Sequence, residues 1–165
     1  MQGGDILIFI TLGSQKFQFN RLLIEVDKLV ERKIISGEVF AQIGYSDYAP
    51  QNYNYKKFLD REEFSNYMNR SDIVITHGGT GAIVGAIKNN KKVVAIPRLK
   101  KFHEHVDDHQ LQITSQFKDS NLIESVIEIN CLEDVIKKLD TIVFAKYESN
   151  TAKIIHNIEH FINSL

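Results

Sequence analysis

The sequence has few of the residues that mark disulfide-rich, membrane-spanning or nucleic-acid-binding chains. Its 165 residues include one cysteine, two prolines and no tryptophan, and the formal net charge is −1. A single cysteine cannot form an intramolecular disulfide, so we expect a reducing compartment and a buried, structural Cys131. No apolar run approaches the ~20 residues needed to cross a bilayer, and no basic segment marks a signal peptide. The balanced charge gives no general attraction to nucleic acid, and none is expected as a partner.

Short apolar runs alternate with segments of helical periodicity. The runs are rich in branched residues and end at glycine, proline or polar residues, which is typical of buried parallel strands. Predicted strands cover residues 6–11, 38–43, 53–58, 72–76, 93–96 and 123–127. Predicted helices cover residues 20–32, a segment capped by Asp60, and residues 82–88, 105–117, 132–139 and 151–161. The alternation predicts an α/β fold, a Rossmann-like open parallel sheet with helices on both faces, as a single domain over residues 1–165.

Ligands of such sheets bind beyond the carboxyl ends of the strands. One segment there, His77-Gly78-Gly79-Thr80-Gly81, follows a buried strand and leads into a helix. Glycines allow the backbone to approach a ligand closely, and free amides at a helix start attract anions. The turn therefore predicts a phosphate or diphosphate site, to which Thr80 and His77 add hydrogen-bond donors. Tight packing is the alternative reason for the glycines.

Other nucleotide motifs are absent. The first strand ends at Gly13 and Ser14 without G-x-G-x-x-G, and no P-loop sequence occurs, so neither a dinucleotide site nor a P-loop hydrolase is expected. Gly13 and Ser14 are expected to contact phosphate or an acceptor from the opposite side of the cleft. A plain strand-to-helix turn is the alternative.

A polar segment follows the strand that ends at Pro97. Asp108, His109 and Gln110 offer donors and acceptors together, the combination that distinguishes sugar hydroxyls. His105 and His109 are one helical turn apart beside Asp108, which raises a metal site as an alternative, although H-E-x-x-H is absent. A second spaced pair, His156 and His160, is expected to lie on the surface of the last helix.

The ordered set HGGTG at 77–81, VVAIP at 93–97 and DDHQ at 107–110 resembles the C-terminal domain of family 28 glycosyltransferases. The resemblance extends from about residue 6 to residue 161. It is strongest to the free-standing small subunits of two-part UDP-sugar transferases, the PssE-like type. It implies a domain equivalent to the C-terminal, donor-binding lobe of a GT-B glycosyltransferase.

The resemblance also implies roles for individual residues. The UDP diphosphate would be held by the two glycine-containing turns, the uracil would be bordered by Phe58 and Leu59, and the donor sugar would contact Asp108, His109 and Gln110. Full-length relatives in this family place a ribose-binding glutamate on the helix after the glycine turn. Gly85 stands near that place here, so ribose recognition is unassigned. The diphosphate set is Gly13, Ser14, His77, Gly78, Gly79, Thr80 and Gly81.

The function implied is that of a UDP-sugar-binding catalytic subunit of an inverting glycosyltransferase. It would transfer galactose or N-acetylglucosamine to a polyprenyl-diphosphate-linked acceptor in capsule, exopolysaccharide or glycolipid-oligosaccharide synthesis. Candidate catalytic bases are Glu104, the leading one, His105 and Asp107. No metal or other cofactor is expected.

A membrane-anchored, PssD-like partner would bind the acceptor and recruit this chain from the cytoplasm to the inner face of the membrane. Two alternatives have different chemistry. One is a non-catalytic nucleotide-sugar-binding module, and the other is a different enzyme on the same fold, such as a UDP-sugar epimerase or a phosphate-ester hydrolase.

Overall fold

The computed structural model describes residues 6–149. They form a six-stranded parallel sheet in the order β3-β2-β1-β4-β5-β6. The strands are β1 (Leu7–Thr11), β2 (Glu38–Gln42), β3 (Asn54–Lys56), β4 (Ile73–His77), β5 (Lys92–Ile96) and β6 (Glu124–Ser125). The predicted parallel α/β sheet is confirmed. The single-domain boundary over residues 1–165 stays a prediction.

Five α-helices lie within the described residues, and the first four of them connect strands. They are α1 (Asn20–Glu31), α2 (Arg61–Arg70), α3 (Thr80–Lys88), α4 (His109–Asp119) and α5 (Leu132–Lys138). Asp60 caps α2 as predicted, because its side chain accepts from the Glu63 amide while the Glu63 carboxylate accepts from the Asp60 amide. The predicted helix over residues 151–161, with His156 and His160, lies outside the described residues.

Helices cover both faces of the sheet because alternate residues of each central strand point to opposite sides. From β1, Ile8 and Ile10 pack with α1 and α5, whereas Leu7 and Phe9 pack with α2 and α3. All five residues of β1 are buried, as expected for a strand between two layers of helices.

Several predicted element boundaries and one predicted burial are wrong, and the last strand is limited to Glu124–Ser125. The third strand is limited to three exposed residues at the sheet edge, Asn54–Lys56. Helix α4 starts at His109 instead of residue 105, because residues 104–108 form bends in which the side chains of Asp107 and Asp108 accept hydrogen bonds from backbone amides. Cys131 is exposed, since it ends a short 3₁₀ turn at the surface before α5.

The strand order reverses between β1 and β4. The loop after β1 leads to α1 on one face of the sheet, and the loop after β4 leads to α3 on the other. Loops that diverge in this way leave a crevice beyond the strand ends, the usual ligand site of open α/β sheets. The sequence places Gly13 and His77 on the two sides of this crevice.

Candidate functional site

The glycine turn connects β4 to α3 at the crevice. Helix α3 begins at Thr80, two residues earlier than predicted, and Gly79 is its N-cap. No side chain in the described part of the chain caps this helix start, and its first turn has no acidic residue. The first amides of α3 are therefore available to a ligand, and the partial positive charge of the helix end favours an anion.

The glycines of the turn have different structural roles. A Cβ atom built on Gly78 would lie 2.7 Å from the Gln110 Cβ, and one on Gly79 would lie 2.4 Å from the His77 Nε2. A Cβ on Gly81 or Gly85 would meet no protein atom within 4 Å. Packing therefore requires the first two glycines, whereas the other two leave space beside the helix start.

His77 is the last residue of β4 and is 9% exposed. Its ring lies between Gly13 and Gly79, and its Nδ1 is 3.3 Å from the Thr76 hydroxyl. Burial, with the nearby positive charge of Arg98, lowers the pKa of His77 to about 4. The imidazole is neutral at pH 7, with one nitrogen as a donor and the other as an acceptor.

Gly13 forms the opposite side of the crevice. Its φ of 72° lies in the left-handed region, and a Cβ there would be 2.8 Å from the His77 Cε1. Both conditions require glycine. The tight turn lets the first loop pass close to His77 and presents Ser14 to solvent.

A cavity of about 400 Å³ lies between the two loops. Its volume is in the range of small-molecule sites in proteins. The lining comprises Thr11, Gly13, Ser14, Gln15, Gln42, Phe64, Met68, His77, Gly79, Gly81, Ala82 and Gly85. The structure thus brings together both turns that the sequence singled out. The structure also places Gln42, Phe64 and Met68 in this lining. From the sequence, the hydrophobic pattern predicted these residues only as parts of a strand and a helix, now β2 and α2.

Gln110 does not occupy the position expected of a sugar ligand. It is 2% exposed, and its side-chain oxygen accepts hydrogen bonds from the backbone amides of Gly78 and Arg98, both at 3.0 Å. The carbonyl that would sort sugar hydroxyls is already used inside the protein. Gln110 instead ties the turn after β4 to the loop after β5.

Glu104 does not occupy the position expected of a catalytic base. It is fully buried, and its two carboxylate oxygens accept from Arg21 at 2.9 Å each, while one also accepts from the Leu99 amide at 3.0 Å. An acceptor hydroxyl cannot reach a carboxylate with no exposed surface. This ion pair fastens α1 to the loop after β5.

Sequence reasoning missed Arg98. Its guanidinium is buried beside the crevice, where Nη2 donates to the backbone oxygens of Leu12 at 2.8 Å and Phe17 at 3.3 Å. Burial lowers the pKa of Arg98 to about 10, although the charge of Glu104 acts in the opposite direction. The side chain stays charged at pH 7. In the sequence, Arg98 could have been recognised as a positively charged residue two positions after a buried strand.

The remaining predicted residues lie in the loop before α4 and at its start. Asp107 joins the two histidines: its Oδ1 is 3.2 Å from the His105 Nδ1 and forms a close hydrogen bond with the His109 Nδ1. The hydrogen bond from His109 holds the pKa of Asp107 below its usual range. Asp108 turns away and accepts from the Lys100 amide at 2.7 Å. The carboxylate beside the histidine pair is therefore Asp107 and not Asp108.

Comparison with known proteins identifies the family of this fold. The model of the glycosyltransferase family 28 C-terminal domain matches residues 7–164. The chain belongs to this family.

Two curated relatives of this family 28 domain are fungal subunits. The UDP-N-acetylglucosamine transferase subunit ALG13 of Candida albicans is 27% identical over 106 residues, which is 64% of this chain and 32% of that protein. The protein of the same description from Candida glabrata is 38% identical over 48 residues, 29% of this chain and 22% of that protein. The chain thus spans a third or less of the length of the curated relatives it matches.

Solved structures support the same architecture. A solution structure of ALG13 superposes with a TM-score of 0.62 at 17% identity and covers 93% of this chain and 94% of that one. MurG of Acinetobacter baumannii superposes with a TM-score of 0.57 at 16% identity, over 86% of this chain and 41% of that one. At these identities the likeness shows the fold, a GT-B-type C-terminal domain.

The predicted uracil residues of this family 28 domain lie outside the cavity lining. Leu59 is linked to it indirectly, because its amide donates to the Gln42 side-chain oxygen at 3.0 Å. Phe58 is 45% exposed and packs edge-on against Tyr45, with 5.2 Å between ring centroids. Within the described part of the chain, no helix is long and apolar enough to cross a membrane.

Proposed function

We propose that this chain binds a UDP-sugar in the crevice between β1 and β4 and acts as the donor-binding subunit of an inverting glycosyltransferase. The observation that carries the proposal is the uncapped start of α3, whose amides face a cavity that also contains Gly13, Ser14 and His77. An anion there gains both hydrogen bonds and the helix dipole. The two fungal relatives are UDP-N-acetylglucosamine transferase subunits, which supports UDP-N-acetylglucosamine as donor, and galactose is the second choice.

The same groups favour departure of UDP. In an inverting transfer, a base removes the proton of the acceptor hydroxyl, the oxygen attacks the anomeric carbon, and the bond to UDP breaks with its electron pair leaving on the diphosphate. The α3 amides and the N–H of His77 stabilise the negative charge that develops on the leaving group. This donor-side chemistry requires no metal or other cofactor.

This chain offers fewer groups that could activate the acceptor hydroxyl. With Glu104 engaged by Arg21, the candidate bases that remain are His105 and Asp107, which already contact each other. We therefore propose that a membrane-anchored, PssD-like partner holds the polyprenyl-diphosphate acceptor and brings this chain to the inner face of the membrane. Synthesis of capsule, exopolysaccharide or a glycolipid oligosaccharide is the setting in which such acceptors are used.

Gly79→Ala is expected to weaken UDP binding roughly tenfold to hundredfold, because the new Cβ displaces His77 and the amides beside it. Calorimetric titration with UDP and with uridine provides the measurement. The wild type should prefer UDP to uridine, and the variant should lose most of that preference. Circular dichroism of Gly79→Ala, compared with the wild type, controls for folding. If Gly79→Ala keeps the wild-type preference for UDP over uridine, the diphosphate does not bind at this turn.

Turnover is expected only when the chain is combined with its partner. The chain should be co-purified with the product of a neighbouring gene and supplied with a panel of UDP-sugars and a polyprenyl-diphosphate acceptor, with release of UDP and extension of the acceptor both measured. Donor hydrolysis or epimerisation by the isolated chain would favour another enzyme. Binding without transfer by the reconstituted pair would favour a non-catalytic nucleotide-sugar module, which the structural engagement of Glu104 makes the second candidate.

A further inference from the structure

Three potential metal ligands meet in front of α4. One ring nitrogen of His105, one carboxylate oxygen of Asp107 and one ring nitrogen of His109 all lie within 4.8 Å of one another. The three residues come from one short segment, so few backbone degrees of freedom separate them. The cluster stands apart from the lining of the cavity in which we place the donor.

The orientation of His105 points to a cation inside the cluster. Its Nε2 is 3.3 Å from the Gln15 side-chain oxygen, and its ring packs against Phe17 with 4.9 Å between centroids. Gln15 thus holds the ring with its Nδ1 toward Asp107. The Nδ1 then lies 3.2 Å from the Asp107 Oδ1, a separation that two ligands of one metal ion can have.

The same arrangement is usual for metal-binding histidines. A ligating imidazole generally donates its other N–H to an oxygen, which fixes the ring and its tautomer. Gln15 does this for His105, whose side chain is 7% exposed. Asp107 and His109 are about half exposed, at 57% and 48% of their side chains, so the outer side of the cluster is open to water.

We infer that His105, Asp107 and His109 form a binding site for a divalent transition-metal ion. Two imidazoles and one carboxylate suit Zn²⁺, Co²⁺ or Ni²⁺ and not Mg²⁺, which prefers a shell of oxygens. The ion would bridge Asp107 and the two histidines, and water would complete its coordination. The site is argued from its own geometry and not from the proposed transferase activity, and a bound ion would occupy His105 and Asp107, the candidate bases that remain.

The test uses the isolated chain after treatment with a chelator. Zn²⁺ is titrated in competition with a chromophoric chelator, and Co²⁺ is titrated separately while its visible absorption is recorded. We expect one ion per chain, a Co²⁺ spectrum of low coordination number, and no competition by millimolar Mg²⁺. His109→Asn and Asp107→Asn should each weaken Zn²⁺ binding at least tenfold, while circular dichroism shows that the fold is retained.

His103→Asn is the matched control. His103 is an exposed histidine of the same loop, outside the cluster, and asparagine tolerates its left-handed backbone. Zn²⁺ affinity should be the same in this variant as in the wild type. Wild-type chain that fails to bind Zn²⁺, or Zn²⁺ binding that survives His109→Asn undiminished, would overturn the proposal and leave a cluster joined by protons alone.

Discussion

Glu104→Gln is expected to lower the free energy of unfolding by about 3 kcal/mol, because it removes one member of a buried ion pair. The substitution deprives Arg21 of its counter-ion and the buried Arg98 of the nearest compensating charge. Chemical denaturation at pH 7 provides the measurement. The loss should appear in the isolated chain, without donor, acceptor or partner.

The control for this substitution is Glu128→Gln. That carboxylate is 69% exposed and only 4.0 Å from Lys101, so its removal should leave the denaturation curve unchanged. A catalytic base would behave in the opposite way to our expectation for Glu104. If Glu104→Gln unfolds like the wild type but abolishes turnover by the reconstituted enzyme, Glu104 is a base and the assignment to structure is wrong.

The buried neutral His77 is expected to make the fold less stable in mild acid. Below pH 6.5 the unfolded chain binds a proton at this histidine, but the folded chain does not do so until about pH 4. Stability contributed by His77 is therefore complete above pH 6.5, declines as the pH falls and levels off near pH 4. The difference amounts to about 3 kcal/mol over that interval.

Denaturation curves of the wild type and His77→Gln, collected between pH 7 and pH 4, isolate this contribution. The gap between the two stabilities should shrink as the pH falls, whatever the packing cost of the substitution at pH 7. His103→Asn, which removes an exposed histidine, should run parallel to the wild type. Parallel curves for His77→Gln would mean that His77 takes up its proton in the folded chain as readily as in the unfolded one.

Local sequence was sufficient for the sheet and the glycine turn. Continuous apolar runs predicted β1, β4 and β5, because a strand covered on both faces needs no polar positions. The turn at 77–81 was recognisable because glycines beside a helix start have a direct physical meaning. Neither inference required knowledge of any distant residue.

The roles of Glu104 and Gln110 could not be obtained in the same way. Both stand in a polar segment that follows a strand end, so both were expected at the ligand. Their partners are Arg21, 83 residues away, and Gly78, 32 residues away, and only the folded chain brings them together. A polar residue near a strand end either faces the ligand or braces the loops that do so, and the pattern of the sequence is the same in both cases.

The buried Arg98 places a positive charge beside the crevice, whereas the chain as a whole is nearly neutral. Surface charges nearly cancel, and mobile ions would screen them over about 8 Å in physiological salt. Arg98 is sealed behind Leu12, Phe17 and Phe19, out of reach of those ions, and close enough to His77 to lower its proton affinity. The positive charge beside the crevice therefore persists in salt, and the anionic nucleotide that we propose as ligand would be attracted to this one place on a nearly neutral molecule.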